Sequence, residues 1–457
     1  MDPHVVKQLE AIVGEDDVLV DDVDLLLYSY DASLPEFGPD AVVFPRTTEE
    51  VSRVTALASQ EGIPVVPRGA ATGLAGGSVP VEGGIALSLT KMNRILNIDA
   101  DNLIAEVEPG LVNAHLQSAL APHGLFFPPD PASLKVCTLG GNVATDAGGP
   151  LCVKYGVTKN YVLGLEVVLA DGEVINTGGN VVKNTTGYAL TQLLVGSEGT
   201  LGILTKLILR VMPRPQGKRT MLAMFDSLEA ASQTVSSVTA AGIVPSTLEM
   251  MDNLLIRCAE NFVHIGLPTD AAAMLLIEVD GPEASLDPQL EAVKGLCEEH
   301  GATEIRVATS AEEVDRLWLA RRSIVGAVTS VRPSLILQDV TVPRSRLPAM
   351  VARVGEISAK YDLPIAVLAH AGDGNLHPML LFDARDAGEM ERVSGAEKEI
   401  FAAALEMDGT LTGEHGIGIT KRDYLPGALG PRLTEVTRRV KAAFDPQNIL
   451  NPGKILA

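Results

Sequence analysis

Cysteine is scarce and scattered in this chain. Its 457 residues contain four, Cys137, Cys152, Cys258 and Cys297. No two stand in a C-x-x-C pair, so the sequence encodes neither a zinc ribbon nor the thiolate run that holds an iron–sulfur cluster. Scattered thiols in a chain of this length point to a reducing compartment. Positive charge is also short, with 36 Lys and Arg against 58 Asp and Glu and a formal charge of −22. That balance argues against nucleic acid or an anionic membrane surface as a partner, but a locally positive site for a small anionic substrate is compatible with it. No apolar run is long enough to span a bilayer, so no transmembrane segment is expected. The opening Met1-Asp2-Pro3-His4-Val5-Val6-Lys7 lacks a basic stretch followed by an apolar one, so no secretory signal is expected either. The expected location is cytoplasmic, or peripheral at the inner face of the membrane. With 46% hydrophobic and 21% charged residues the composition is that of a globular protein with large cores and two or three domains.

What is present comes in two textures. Residues 5–13 read as a helix ended by Gly14, and a polar stretch to about Asp40 wraps the first domain. Val42-Val43-Phe44-Pro45 reads as a strand. Thr47-x-x-Glu50 is a capping box that opens a helix running to Gly62, and Val65-Val66-Pro67 returns as a strand into a glycine-rich loop. Short strands come next at Ile85–Leu89, Ile95–Ile98 and Leu103–Val107, then a helix at 112–120. An Asp171-Gly172 hairpin and a strand at Gly202–Val211 complete the region. Beyond Pro213-Arg214-Pro215, helices at 228–241, 288–300, 311–328, 346–360 and 388–407 alternate with strands at Met274–Val279 and Leu335–Val342, which reads as a helix-covered antiparallel sheet. The expected division is an N-terminal wrap 1–40, a first domain 41–215, a second domain 216–410 and a C-terminal segment 411–457. The last of these has a turn-rich tail, Phe444 to Lys454, that looks docked rather than loose.

Three loops carry unusual glycine density. Pro67-Arg68-Gly69-Ala70-Ala71-Thr72-Gly73-Leu74-Ala75-Gly76-Gly77-Ser78 follows a strand directly and can turn several N–H groups into one concavity. It has no Gly-Lys-Ser/Thr ending and does not match the Rossmann spacing, so alone it could equally be a tight structural turn. A second segment holds Pro128-Pro129-Asp130-Pro131 and Thr138-Leu139-Gly140-Gly141-Asn142-Val143-Ala144-Thr145. A third is Gly196-Ser197-Glu198-Gly199-Thr200-Leu201-Gly202-Ile203. Three such loops in one domain fit an extended dinucleotide approached by backbone at several places. Near the other end, His370-Ala371-Gly372-Asp373-Gly374-Asn375-Leu376-His377 and Gly413-Glu414-His415-Gly416 hold three of the chain's eight histidines. Two imidazoles and a carboxylate suit a divalent metal with an open position. The same residues also read as a strand–turn–strand corner whose histidines only satisfy hydrogen bonds, and spacing does not choose.

Taken in order, these five motifs resemble the vanillyl-alcohol oxidase and p-cresol methylhydroxylase superfamily. Specifically they resemble its FAD-linked 2-hydroxyacid dehydrogenase branch, which includes the glycolate oxidase flavoprotein subunit, D-lactate dehydrogenase and D-2-hydroxyglutarate dehydrogenase. The resemblance runs from about Asp40 to Lys454. It implies an α+β fold with a two-part FAD-binding domain of the vanillyl-alcohol oxidase type and a substrate domain built on a helix-covered antiparallel sheet. It also implies that Arg68, Gly69, Gly73, Leu74, Gly76, Gly77 and Ser78 wrap the FAD pyrophosphate. Pro129, Asp130, Thr138, Gly141, Asn142 and Thr145 would line the flavin and ribityl region. Glu198, Gly202 and Ile203 would meet the adenine half, and Asn451 would return to the flavin. No histidine occurs from Pro67 to Pro80, so the FAD is expected to be non-covalent.

The resemblance further implies His370, His377 and Glu414 as ligands of Zn2+ or Mn2+, with His415 as the base, or alternatively as an orienting neighbour. Arg321, on one helical face with Trp318, would contact the substrate carboxylate, or make an ordinary salt bridge. The hydroxyglutarate branch places a threonine and a lysine where this chain has Val325 and Leu337, which favours glycolate, D-lactate or a longer monocarboxylic 2-hydroxy acid. The expected activity is oxidation of that acid to the 2-oxo acid, with hydride passing to flavin N5. Electrons would then leave to an external acceptor: a quinone, a cytochrome or an iron–sulfur partner subunit. D-2-hydroxyglutarate oxidation, a non-catalytic flavin-binding subunit of a larger complex, and a flavin-linked synthase or oxygen-using oxidase are the alternatives. Oligomeric state is not legible, a homodimer being one option.

Overall fold

The Thr47 hydroxyl accepts the Glu50 N–H at 3.2 Å, which starts the helix Thr48–Glu61, and Gly62 ends it in the left-handed region at φ 64°. The Glu50 carboxylate reaches back one residue further than a capping box requires, to the Arg46 N–H at 2.6 Å. This helix joins parallel strands in the computed structural model, which describes residues 1–456. The chain forms two compact units. The first is assembled from three segments, Met1–Gly148, Val157–Arg214 and the stretch from Glu414 onward. The second comprises Gly149–Gly156 and Pro215–Gly413.

In the first unit a four-stranded sheet has the order Val18–Leu19, Ala41–Val43, Ile85–Ser88, Val65–Arg68, its last three strands parallel. A five-stranded antiparallel sheet has the order Ile95–Asp99, Ile104–Val107, Ile203–Arg210, Val162–Val168, Val174–Gly178. The C-terminal tail returns to the first sheet: the Val65 N–H donates to Ile449 O at 2.7 Å and the Asn451 N–H to Val65 O at 2.8 Å. The glycine-rich loops leave from the ends of these strands.

The second unit is built on one large antiparallel sheet. Its strands run in the order Ala302–Val307, Gly217–Phe225, Ala273–Gly281, Thr247–Asp252, Ile365–His370, Asn375–Phe382, Ser334–Leu337, with Val340–Thr341 also pairing Asn375–Phe382. One face is covered by the helices Asn253–Val263, Ala311–Arg322 and Ile324–Val328. Their Leu255, Ile256, Trp318, Ile324 and Val328 pack with Met251, Leu368 and Met379 of the sheet in a single apolar cluster.

Several elements differ from the sequence reading. The strands Gly217–Phe225, Thr247–Asp252 and Ala302–Val307, the helix Asn253–Val263 and the helical stretch Leu425–Phe444, which is interrupted at Gly430 (φ 73°), were not foreseen. The helix expected from residue 288 begins at Glu283 and carries Pro288 inside. The helix expected over 311–328 is interrupted at Ser323, whose N–H is shared between Leu319 O at 3.0 Å and Ala320 O at 3.3 Å and whose hydroxyl also donates to Leu319 O at 2.7 Å. The expected strand Leu335–Val342 is two strands, interrupted at Gln338-Asp339. His370 and His377 are both strand residues, and the connection between their strands is only residues 371–374.

Candidate functional site

In the first unit the three glycine-rich loops converge. Arg68 and Gly69 of the first, Thr138, Gly140, Gly141 and Ala144 of the second, and Ser197, Gly199 and Gly202 of the third line one cleft of about 430 Å³. Glycine is required by close contact at two of these positions. A Cβ on Gly69 would lie 2.2 Å from Thr138 Oγ1, and one on Gly140 would lie 2.5 Å from Pro109 Cβ. Asn142 is buried, and its Nδ2 has no acceptor in hydrogen-bonding reach among the described residues. A buried donor left unmatched calls for a bound polar group. A cleft walled by glycine backbone beside an orphaned amide fits the polar spine of a dinucleotide such as FAD.

The other residues expected at FAD hold this cleft's surroundings together. Arg68 stacks over the Tyr28 ring at 5.2 Å and donates to Tyr28 O at 3.2 Å and Ser78 O at 3.4 Å. Gly73 O accepts the Ala32 N–H, Leu74 is half-buried, and Gly76, at φ 75°, packs on Ile419. Asn451 Nδ2 donates to both Gly77 O (2.8 Å) and Glu198 O (2.7 Å), so the tail staples the first loop to the third. Pro129 O accepts from Asn113 Nδ2 at 3.2 Å, Asp130 is half-buried, the Thr145 hydroxyl donates to Gly141 O at 3.1 Å, and Ile203 lies fully in the core. The Glu198 side chain accepts the Ile417 N–H at 2.7 Å and the Gly418 N–H at 2.8 Å. Burial raises its carboxyl above the ordinary value despite those N–H groups and the nearby Lys421 and Lys454 charges. Glu198 thereby anchors the turn that follows Glu414 and His415, whose Oε1 and Nε2 lie 3.9 Å apart.

In the second unit the period of the strands sets the chemistry. Met251, Leu368 and Met379 belong to the apolar cluster on one face. Two residues along each strand, on the same face, stand Glu249, His370 and His377. Glu249 is paired directly opposite His370, and Leu368 opposite His377. The two imidazoles meet edge to face with centroids 5.0 Å apart. His370 Nδ1 lies 2.6 Å from Glu249 Oε1, and His377 Nδ1 3.1 Å from Gln338 O. Both partners can only accept, so each ring donates through an Nδ1–H and turns its Nε2 edge away from that partner. This is the orientation found in metal-ligating histidines, and the imidazole donors fit Zn2+ or Mn2+.

The break at Gln338-Asp339 supplies the His377 acceptor. It also places the fully buried Asp339, whose Oδ1 accepts from Asn375 Nδ2 at 2.7 Å. Asp339 Oδ2 accepts the Thr412 hydroxyl at 2.5 Å and the Gly413 N–H at 3.0 Å, fixing the chain where it enters Glu414. Arg321, at the end of its helix, is buried and ion-paired: Nε lies 2.7 Å and Nη2 2.6 Å from Glu249 Oε2. Burial raises the Glu249 carboxyl, but the His370 and Arg321 charges and hydrogen bonds outweigh it and hold the group below the ordinary value. Val325 is half exposed, and Leu337 packs against the apolar cluster.

Glu249 and Asp339 escaped the sequence reading. The available signal was a single acid inside the otherwise apolar Leu248-Glu249-Met250-Met251, and a Gln338-Asp339 pair interrupting Leu335-Ile336-Leu337 and Val340. A charge enclosed by apolar residues must be partnered.

Residues 39–178 match the FAD binding domain, and residues 214–455 match the C-terminal domain of FAD linked oxidases. The chain is 47% identical to the glycolate oxidase subunit GlcD of Bacillus subtilis, over 99% of this chain and 97% of that protein. It is 37% identical to a D-lactate dehydrogenase of Anaerostipes hadrus, over 91% and 89%. Among solved structures, p-cresol methylhydroxylase with substrate bound superposes with a TM-score of 0.79 at 19% identity, covering 99% of this chain and 96% of that one. That likeness establishes the fold, an α+β architecture of the p-cresol methylhydroxylase type. The match across the C-terminal domain and the near full-length relatives establish more: this chain belongs to the family of FAD-linked oxidases and is an FAD-dependent oxidoreductase.

Proposed function

We propose that this chain oxidises the C2 hydroxyl of a small 2-hydroxy acid, glycolate or D-lactate, to the 2-oxo acid, using non-covalent FAD and a divalent cation, Zn2+ or Mn2+. The observation that carries the reading is the perpendicular pair His370 and His377, each held through Nδ1 by an acceptor, on adjacent strands of the second unit. An orientation fixed at both rings is unnecessary for a corner that only satisfies hydrogen bonds. The relatives named glycolate oxidase subunit and D-lactate dehydrogenase support the substrate class.

In this reading His370, His377 and Glu414 hold the cation. Arg321 supplies positive charge for the substrate carboxylate, in a chain of net charge −22. His415 takes the hydroxyl proton on a ring nitrogen. The glycine-walled cleft, with Arg68, Gly69, Thr138, Gly141, Asn142 and Gly202 at or beside it, holds FAD. When bound, the cation supplies Lewis acidity toward the hydroxyl and FAD a two-electron acceptor. The apolar Val325 and Leu337 offer nothing to a second carboxylate, which favours the monocarboxylic substrates. Electrons leave to an acceptor outside the chain, a quinone, a cytochrome or an iron–sulfur partner subunit. No helix among the described residues is long and apolar enough to cross a membrane.

The test is anaerobic mixing of the flavin-loaded protein with glycolate, D-lactate and D-2-hydroxyglutarate, before and after chelation. Bleaching by one of the first two, abolished by the chelator and restored by Zn2+ or Mn2+, is the expected result. Bleaching that survives complete removal of metal would remove the cation from the chemistry, and no bleaching by any 2-hydroxy acid would sink the substrate class.

A further inference from the structure

Glu249 is enclosed at the centre of the second unit's sheet, 1% exposed, with every side-chain oxygen committed. Oε1 accepts from His370 Nδ1 and Oε2 accepts from both Nε and Nη2 of Arg321. Two features make this more than a buried salt bridge. First, Glu249 and His370 are register partners across an antiparallel pair, so sheet geometry sets their spacing. Second, Arg321 comes from a different element, the helix Ala311–Arg322, which packs on the same face. One carboxylate therefore ties an imidazole on the sheet to a guanidinium on the covering helix. Of the five N–H groups of Arg321, Glu249 takes two and leaves three to meet an anion.

We infer that Glu249 is a positioning residue that locks Arg321 and His370 into one geometry, so that substrate-carboxylate capture and cation binding become a single coupled event. This rests on the functional reading above. The coupling follows from the connectivity. Ligation through Nε2 withdraws electron density from the imidazole and strengthens its Nδ1–H···Oε1 bond. The carboxylate is then fixed more firmly, and with it the guanidinium. By linkage, an anion on Arg321 strengthens cation binding by the same factor. A buried Arg–Glu pair alone gives weak net stabilisation, so a positioning role accounts for its burial better than stability does.

The experiment uses full-length, FAD-loaded protein. The affinity for Mn2+ and for Zn2+ is measured by isothermal titration calorimetry, and kcat and KM for glycolate and D-lactate with an artificial acceptor. Glu249→Gln is expected to weaken cation affinity roughly 10- to 100-fold and to raise KM, with the flavin spectrum unchanged. Arg321→Met, which removes no proposed ligand, is expected to shift cation affinity severalfold through Glu249. The double variant Glu249→Gln/Arg321→Met leaves no buried charge unpaired, and it decides the matter if Glu249→Gln alone does not fold. Its effect on cation affinity should be smaller than the product of the single effects, or, lacking one single variant, should still exceed that of Arg321→Met. Wild-type cation affinity in Glu249→Gln or in the double variant overturns the inference. Failure of the underlying reading looks different: the unmodified protein itself would bind neither cation, and its turnover would ignore chelator.

Discussion

The two units build their sites from opposite materials. In the first, the cleft is made of backbone. Glycines at 69, 140, 141, 199 and 202 bring three loops to one place, with Pro67, Leu89, Pro109 and Leu204 filling in between them. In the second, the site is made of side chains, Glu249, His370, His377 and Asn375, aligned by strand pairing on one face of a sheet. The difference matches what each is proposed to hold. A long polar cofactor is gripped by many weak contacts, so what matters is room for close approach. A cation with a chelating acid needs a few donors at fixed angles, so what matters is rigidity, and side chains on central strands are the least movable in a fold.

The comparison can be broken from the side-chain end first. His370→Ala is expected to lower kcat/KM roughly 10³-fold or more, with loss of bound cation and full retention of flavin absorbance. Loss of the flavin as well would show that the two sites are not separable. His415→Ala should keep both FAD and cation and still lose about 10²- to 10³-fold in turnover. Near-normal rates measured with saturating glycolate would remove it from the mechanism.

The backbone end answers to different changes. Gly69→Ala, whose Cβ would meet Thr138 Oγ1 at 2.2 Å, should reduce FAD occupancy at least severalfold while leaving cation affinity intact, measured by flavin absorbance and calorimetry on the same preparation. Asn451→Ala strips the donor from Gly77 O and Glu198 O. It should cost about 1–3 kcal/mol and weaken flavin retention without touching KM. An unchanged FAD dissociation constant would count against the tail's stapling role.

The smallest effect is electrostatic. Asp252 caps the helix Asn253–Val263 and accepts the Leu255 N–H at 3.0 Å and the Val367 N–H at 2.7 Å. Burial nevertheless pushes its carboxyl from 3.8 up to about 6. The folded chain then holds this proton more tightly than the unfolded chain. Its contribution is complete below about pH 4 and declines as pH rises to about 6, by at most about 3 kcal/mol at 1.36 kcal/mol per unit. Urea denaturation of Asp252→Asn should lack this slope, and parallel curves for the two proteins would refute it.

Legibility in the sequence divided along the same line. The glycine-rich loops could be read because glycine is locally dense there, and the His370–His377 stretch because the chain has only eight histidines. Glu249 could not. The strand Thr247–Asp252 is written in Leu, Glu and Met, residues that favour helices when isolated, and it is a strand because Ala273–Gly281 and Ile365–His370 pair with it on either side. The helical stretch Leu425–Phe444 was hidden by Pro426, Gly427, Gly430 and Pro431, signals that ordinarily mark a turn, and the backbone does leave the helix at Gly430 before resuming it.

The ordered motifs, through the family they resemble, implied the α+β class, FAD and the residue types of the candidate site, because the motifs themselves are local stretches of sequence that tertiary packing does not alter. Only the folded chain decided which atoms face each other: that one carboxylate joins Arg321 to His370, that a break in a strand supplies the acceptor for His377, and that three distant loops share one cleft. Those are contacts between residues far apart in the chain, set by strand register and helix packing, and one-dimensional periodicity carries no record of them.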